Sequence, residues 1–194
     1  MSTLAATTAA AFDSNYTSIA ANRCKKTVNL RIGKIEYAVS RICAGSAGYK
    51  VYVDEEDLRD TLTIGKSGKQ ALKEPAAHDH YHGFNGYEDT IEWRSAKGAP
   101  FAVIVGWSFA DHEHLDPKNG PKRARLLAVI RLPPGPICTV TYIDRAANPN
   151  ANALARKAAD EIARTFKCDA NLHISGKRGE AINARFPPTP NSTP

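Results

Sequence analysis

Histidine is the residue type in this chain whose spacing comes nearest to a chemical site. Five of the six histidines fall in two short segments: His78, His80 and His82 in HDHYH, and His112 and His114 in DHEH. In an extended chain alternate residues point the same way, so each H-x-H presents two imidazoles on one side. Imidazole suits Zn²⁺, Cu²⁺ or Ni²⁺, and Asp79, Asp111 and Glu113 would add carboxylate oxygen. If Thr90–Arg94 and Phe101–Phe109 pair as a hairpin, both segments leave its same end and can meet. The plainer reading is a pair of solvated polar loops that take up metal adventitiously. The sequence therefore requires no cofactor, with Zn²⁺ or Cu²⁺ as the candidates. Several neighbouring imidazoles would also gain charge together near about pH 6, which makes the same loops proton-sensitive.

A second cluster is basic. Lys118, Lys122, Arg123, Arg125 and Arg131 follow one another with no acid between Lys118 and Arg131. They are candidates for contact with an anionic envelope component or another polyanion; the plainer reading is a solvated loop and strand face. Nucleic acid is disfavoured, because the interleaved aromatics on which single strands stack are missing there.

Other motifs fall short. Gly65-Lys66-Ser67 looks like the end of a phosphate loop, but Asp60 stands where the earlier glycine is required. No G-x-S-x-G elbow occurs. Glu55, Glu56 and Asp57 read as a solvated turn between two strands, and Asp144-Arg145 as residues that order a connection. Asn15–Thr17 and Asn191–Thr193 are glycosylation sequons only in a eukaryotic secretory route. Nothing here points to catalysis.

The four cysteines, Cys24, Cys43, Cys138 and Cys168, include no C-x-x-C pair, which excludes zinc-ribbon and thioredoxin-type readings. An even count in a small chain suggests two disulfides and an oxidising compartment. Of the three connectivities, Cys24–Cys43 and Cys138–Cys168 are expected, because each pair brackets one local unit.

These groups need elements to position them. Strands are expected over Glu36–Cys43, Tyr49–Val53, Leu58–Ile64, Thr90–Arg94, Phe101–Phe109, Ala124–Leu132 and Ile137–Ile143, with a weaker one over Asn171–Ile174. In the strongest, Phe101, Val103, Val105, Trp107 and Phe109 share one face, and Ala102, Ile104, Gly106 and Ser108 the other. One helix is expected over Ala151–Phe166, with Asn148 as N-cap and Pro149 at its first position. Leu154, Ala158, Ile162 and Phe166 would form its apolar stripe, leaving Arg156, Lys157, Asp160, Glu161 and Arg164 to water. The fold class is α+β: an antiparallel β-meander sheet with one C-terminal helix packed on a face and two disulfides.

With 194 residues, 42% of them hydrophobic, the chain is long enough for one domain with a real core. Residues 16–175 are expected to form it, after a flexible segment 1–15 and before a disordered tail 176–194. The net charge of +6 permits anionic partners without demanding them. The longest charge-free apolar run, Ala99–Ala110, is about half the roughly 20 residues that a membrane helix needs, so no span is expected. Met1–Phe12 resembles the small-residue end of an export signal.

Four segments carry a resemblance. VYVDEEDLR (Val51–Arg59), TIEWR (Thr90–Arg94), APFAVIVGW (Ala99–Trp107) and YIDRAANPNANALARKAADE (Tyr142–Glu161), the last closing on Cys168, are similar to segments of small exported proteobacterial proteins of unknown function. The likeness covers roughly Tyr16–Cys168; the histidine loops and the tail depart from it. It implies export to the periplasm and paired cysteines, and no activity, cofactor or catalytic residue. The expectation is therefore a small periplasmic or secreted domain that binds a ligand or serves as an envelope component rather than an enzyme. A metal-binding protein or metallohydrolase built on the histidine loops is the alternative, and a polyanion binder the third reading.

Overall fold

A computed structural model describes residues 12–32, 35–56, 58–73, 84–116, 118, 120–168 and 173–186. It describes the backbone alone at residues 27–32, 35–40, 56, 72–73, 111–116, 120–122 and 184–185. Among the described residues, ten strands, three α-helices and a 3-10 turn (Ala21–Arg23) follow one another. The strands are β1 (Phe12–Ser18), β2 (Lys25–Ile32), β3 (Ile35–Ala44), β4 (Lys50–Glu56), β5 (Arg59–Gly65), β6 (Asn85–Ala96), β7 (Ala99–Asp116), β8 (Gly120–Arg131), β9 (Cys138–Asp144) and β10 (His173–Ile174). The helices are α1 (Gly68–Lys73), α2 (Ala151–Ala158, continued by a π-helical stretch Ala159–Ala163) and α3 (Glu180–Arg185).

The expected antiparallel meander is present, in two sheets rather than one. Strands β2-β3-β4-β5 form a four-stranded antiparallel sheet, and β1-β6-β7-β8-β9-β10 a six-stranded sheet in which only the short β10 pairs parallel. Val51, Val53, Leu62 and Ile64 of the smaller sheet pack with Trp93, Val105, Trp107 and Leu126 of the larger in one buried cluster. The opposite face of the larger sheet carries α2 over Ile104, Leu127, Val129 and Ile143. Because the central strands are covered on both sides, β8 is apolar at consecutive residues Leu126–Ile130, where a half-buried strand would alternate.

The face assignment of β7 holds for Val103, Val105, Trp107 and Phe109 but not for Phe101, which packs on the α2 side with Ala102. The cause is a bulge. While β6 steps from Arg94 to Ser95, β7 steps from Ala102 to Pro100, leaving Phe101 as the extra residue. One extra residue reverses the facing of those beyond it.

The helix differs from its expected stripe. Its buried residues are Ala151, Ala155, Ala158, Ala159 and Ala163, while Leu154, Ile162 and Phe166 are half-buried at the flanks. Alanines let the helix backbone approach the sheet closely, and the bulkier side chains fill the space to either side. Nor are Arg156 and Asp160 left to water: Arg156 forms two hydrogen bonds with Glu92, and Asp160 two with Arg94. The N-cap position is Asn150, not Asn148, which is buried.

Both bridges are formed as expected, Cys24–Cys43 and Cys138–Cys168, closing 19 and 30 residues. The first ties the base of the β2–β3 hairpin, and the second ties the start of β9 to the chain just beyond α2.

Two expected boundaries move. Phe12–Asn15, placed in the flexible segment, belong to β1, which pairs with β6 from Phe12↔Ala96 to Ser18↔Thr90. The expected tail from residue 176 instead supplies α3, whose Ile182 is fully buried, and Phe186, which stacks on Tyr142 with ring centroids 4.9 Å apart.

Candidate functional site

Three arginines, Arg123, Arg125 and Arg145, come together where the β8–β9 ladder ends. Leu126 pairs with Asp144, and one step further the Arg145 N–H donates to the Arg125 carbonyl at 3.2 Å. Arg125 and Arg145 are thus cross-strand neighbours, a like-charge arrangement that costs stability unless something anionic offsets it. Ser108 stands opposite Arg125 in the β7–β8 register, and Arg123 Nη2 donates to Ser108 Oγ at 3.1 Å.

Arg145 is paired with Glu88. Between the Tyr87–Trp107 and Ile91–Val105 pairs, β6 carries an irregularity that holds Glu88 over Gly106. Any Cβ at residue 106 would overlap the Glu88 carboxylate, so glycine there makes the room. The Arg125 guanidinium has no ionic or hydrogen-bonding partner among the described residues.

Beside these arginines opens a cleft of about 570 Å³. Arg123, Arg125 and Arg145 supply its cationic wall; Ala124, Ala146, Ala147 and Ala181 supply an apolar one, and Glu180 also lines it. Strand alternation separates the walls, since Ala124 faces opposite to Arg123 and Arg125.

The apolar wall is held from beneath by Asp144 and Asn148. Asp144 is fully buried; its Oδ1 accepts from the Ala146 and Ala147 N–H groups at 2.9 and 3.1 Å, and its Oδ2 from the Ile182 N–H at 3.3 Å. Asn148 Nδ2 donates to the carbonyls of Asp144 and Lys177, both at 2.9 Å, and its Oδ1 accepts from the Lys177 N–H at 2.8 Å. Asp144 therefore orders the connection, as expected, and Asn148 staples the chain leading to α3 instead of capping α2.

Of the basic cluster, the structure brings Arg123 and Arg125 together. Lys118 is exposed in the β7–β8 turn, and the Lys122 backbone pairs with Asp111. Arg131 stands apart from this cleft. It is 8% exposed, and its guanidinium donates to the carbonyls of Phe166 and Pro134. Its place in the chain matched the cluster, but the helix end and the Pro turn fold over it.

His78, His80 and His82 lie outside the described residues. The backbone of His112 and His114 belongs to β7, where the register passes from Asp111↔Lys122 to Leu115↔Pro121, so both fall within an irregularity of the hairpin. No group of three or more His, Cys, Asp or Glu placed to share a metal ion occurs among the described residues. No helix among them is long and apolar enough to cross a membrane.

Arg145, Glu88 and the alanine wall escaped sequence reasoning. Arg145 stood out only as part of a connection; its juxtaposition with Arg125, twenty residues earlier, is a property of strand register. No family model, no curated protein and no solved structure matches the chain.

Proposed function

We propose that this protein is a small exported domain that binds an anionic ligand in the arginine-lined cleft and carries out no reaction of its own. The observation that carries this reading is the set of three guanidiniums around one cleft, of which only Arg145 has a carboxylate partner among the described residues. Cations held together in this way bind carboxylate or phosphate oxygens by charge-assisted, often bidentate, hydrogen bonds. The two disulfides support export, because such bridges persist in oxidising compartments. The resemblance to exported chains of unknown function supports the same compartment, with the periplasm as the site of action.

The test is calorimetric titration of the disulfide-intact protein with inorganic phosphate and with polyphosphate, at two salt concentrations. Binding of at least one of them should weaken with salt and be lost in Arg125→Glu, with the melting temperature unchanged or raised, since a carboxylate at 125 relieves the repulsion with Arg145. Absence of binding to both and to acetate and hexanoate as well, or binding indifferent to Arg125→Glu, would sink the proposal. Metal analysis of the same material addresses the histidine-based alternative: stoichiometric Zn²⁺ or Cu²⁺ lost together with stability in His80→Ala/His112→Ala would replace anion binding with metal binding.

A further inference from the structure

We infer that the cleft takes a small organic acid, with one anionic head and an apolar body, and that Glu88 holds the place of that head at Arg145 in the free protein. The inference rests on the anion-binding reading above and narrows it to a ligand class and a competing residue.

Size comes first. A volume of about 570 Å³ lies within the range of sites that enclose small molecules, roughly 300–1,000 Å³. The distribution of polarity comes second. The three arginines occupy one wall, and Ala124, Ala146, Ala147 and Ala181 present methyl groups on the other. A ligand charged along its whole length would leave the alanine wall facing polar groups. A ligand with a single acidic head uses both walls. Glu180 also lines the cleft.

Third is the state of Arg145. Its bond to Glu88 joins two half-exposed side chains, 32% and 40% accessible. A pair so exposed to water gains little and exchanges readily. A ligand carboxylate that reaches Arg125, which has no partner among the described residues, can also take Arg145 in the bidentate manner of guanidinium–carboxylate pairs. Glu88 then turns to solvent. In the free protein Glu88 offsets part of the Arg125–Arg145 repulsion, so the cleft carries its own competitor.

The experiment titrates the disulfide-intact protein with acetate, hexanoate and polyphosphate. Hexanoate should bind at least tenfold more tightly than acetate, since each methylene buried on the alanine wall contributes up to roughly fourfold. Arg125→Ala should lower hexanoate affinity at least tenfold. Glu88→Gln, which removes the competitor, should raise it two- to fivefold. Ala146→Leu, at an exposed position of the apolar wall, should weaken hexanoate while leaving acetate unchanged, and it serves as a second readout if Glu88→Gln unfolds. Hexanoate no tighter than acetate, or Glu88→Gln with equal or weaker binding, overturns the inference. If polyphosphate binds through Arg125 and hexanoate does not, the anion-binding reading stands and this inference alone fails. If no anion binds, or none depends on Arg125, both fail.

Discussion

Arg94 on β6 donates two hydrogen bonds to the Asp160 carboxylate on α2, from Nε at 2.9 Å and from Nη2 at 2.7 Å. The two residues stand 66 apart in the chain. Their side chains are 8% and 18% exposed, so the pair sits largely out of water under the helix. Arg94 also donates to Ser14 of β1, Ser14 donates to Glu92, and Glu92 accepts two bonds from Arg156. One polar network thus fastens the helix and the edge strand to the same stretch of β6.

Removing one partner of such a pair leaves a buried charge without compensation. Asp160→Asn should therefore cost about 3 kcal/mol in urea unfolding. The double change Arg94→Met/Asp160→Leu should recover much of that loss, because neither charge then remains. Equal losses in the single and double variants would show that the pair is not the source of the effect.

The alanine stripe of α2 predicts an inverted tolerance to size. Ala159→Leu forces a branched side chain between helix and sheet and should cost about 1–3 kcal/mol. Leu154→Ala, at a half-buried flank, should cost less than the roughly 2–5 kcal/mol of a fully buried leucine. Thermal and urea unfolding of the two variants check the order.

Ile182 of α3 is fully buried in the cluster between the sheets. Ile182→Ala should cost about 2–4 kcal/mol. Hydrogen exchange should show protection at the Ile182 amide, which donates to Asp144 Oδ2. A neutral substitution and a freely exchanging amide would mean that α3 does not seal the core.

Asp60 gives a pH signature. Burial raises its carboxyl above the ordinary range, and the Tyr87 N–H and the Arg41 guanidinium oppose that shift without cancelling it. The folded state therefore favours the protonated form. Its contribution to stability is fully present below the unfolded value of about 3.9 and is lost as pH rises through the raised folded value. Asp60→Asn should gain stability relative to the parent at neutral pH, with the difference shrinking as pH falls through the raised folded value toward about 4. Carbon-detected titration should place the Asp60 midpoint above those of exposed aspartates.

The second disulfide closes 30 residues from β9 to beyond α2. Cys138→Ser/Cys168→Ser should lose about 3–4 kcal/mol through the freed unfolded chain. Non-reducing peptide mapping of the parent should recover Cys24 with Cys43 and Cys138 with Cys168, and native protein should show no reactive thiol.

The elements whose pattern is local were legible in the sequence alone. The alternation of large and small residues in Val103–Phe109 marks a strand, because a pleated chain sends neighbours to opposite faces, and the apolar run Leu126–Ile130 bounded by Arg125 and Arg131 marks another. The Ala-rich stretch from Ala151 marks the helix, and the spacing of the cysteines marks both bridges. Tertiary structure alone decided whatever depends on which chain segments meet. The bulge at Phe101 comes from β6 and β7 advancing by different numbers of residues, and no single strand records that. Phe12–Ser18 and Glu180–Arg185 are too polar or too short to announce themselves; pairing with Thr90–Ala96 and burial of Ile182 give them their structure. Arg156 and Asp160 read as a wet helix face until Glu92 and Arg94 arrive beneath them. The candidate site is of the same kind. Arg123 and Arg125 are visible as a basic run, whereas Arg145 joins them only through the β8–β9 register, and Arg131 leaves them only because Phe166 and Pro134 fold over it. Periodicity is a property of one segment and is written in its residues. Register and burial belong to pairs of segments, and they exist only once the chain has folded.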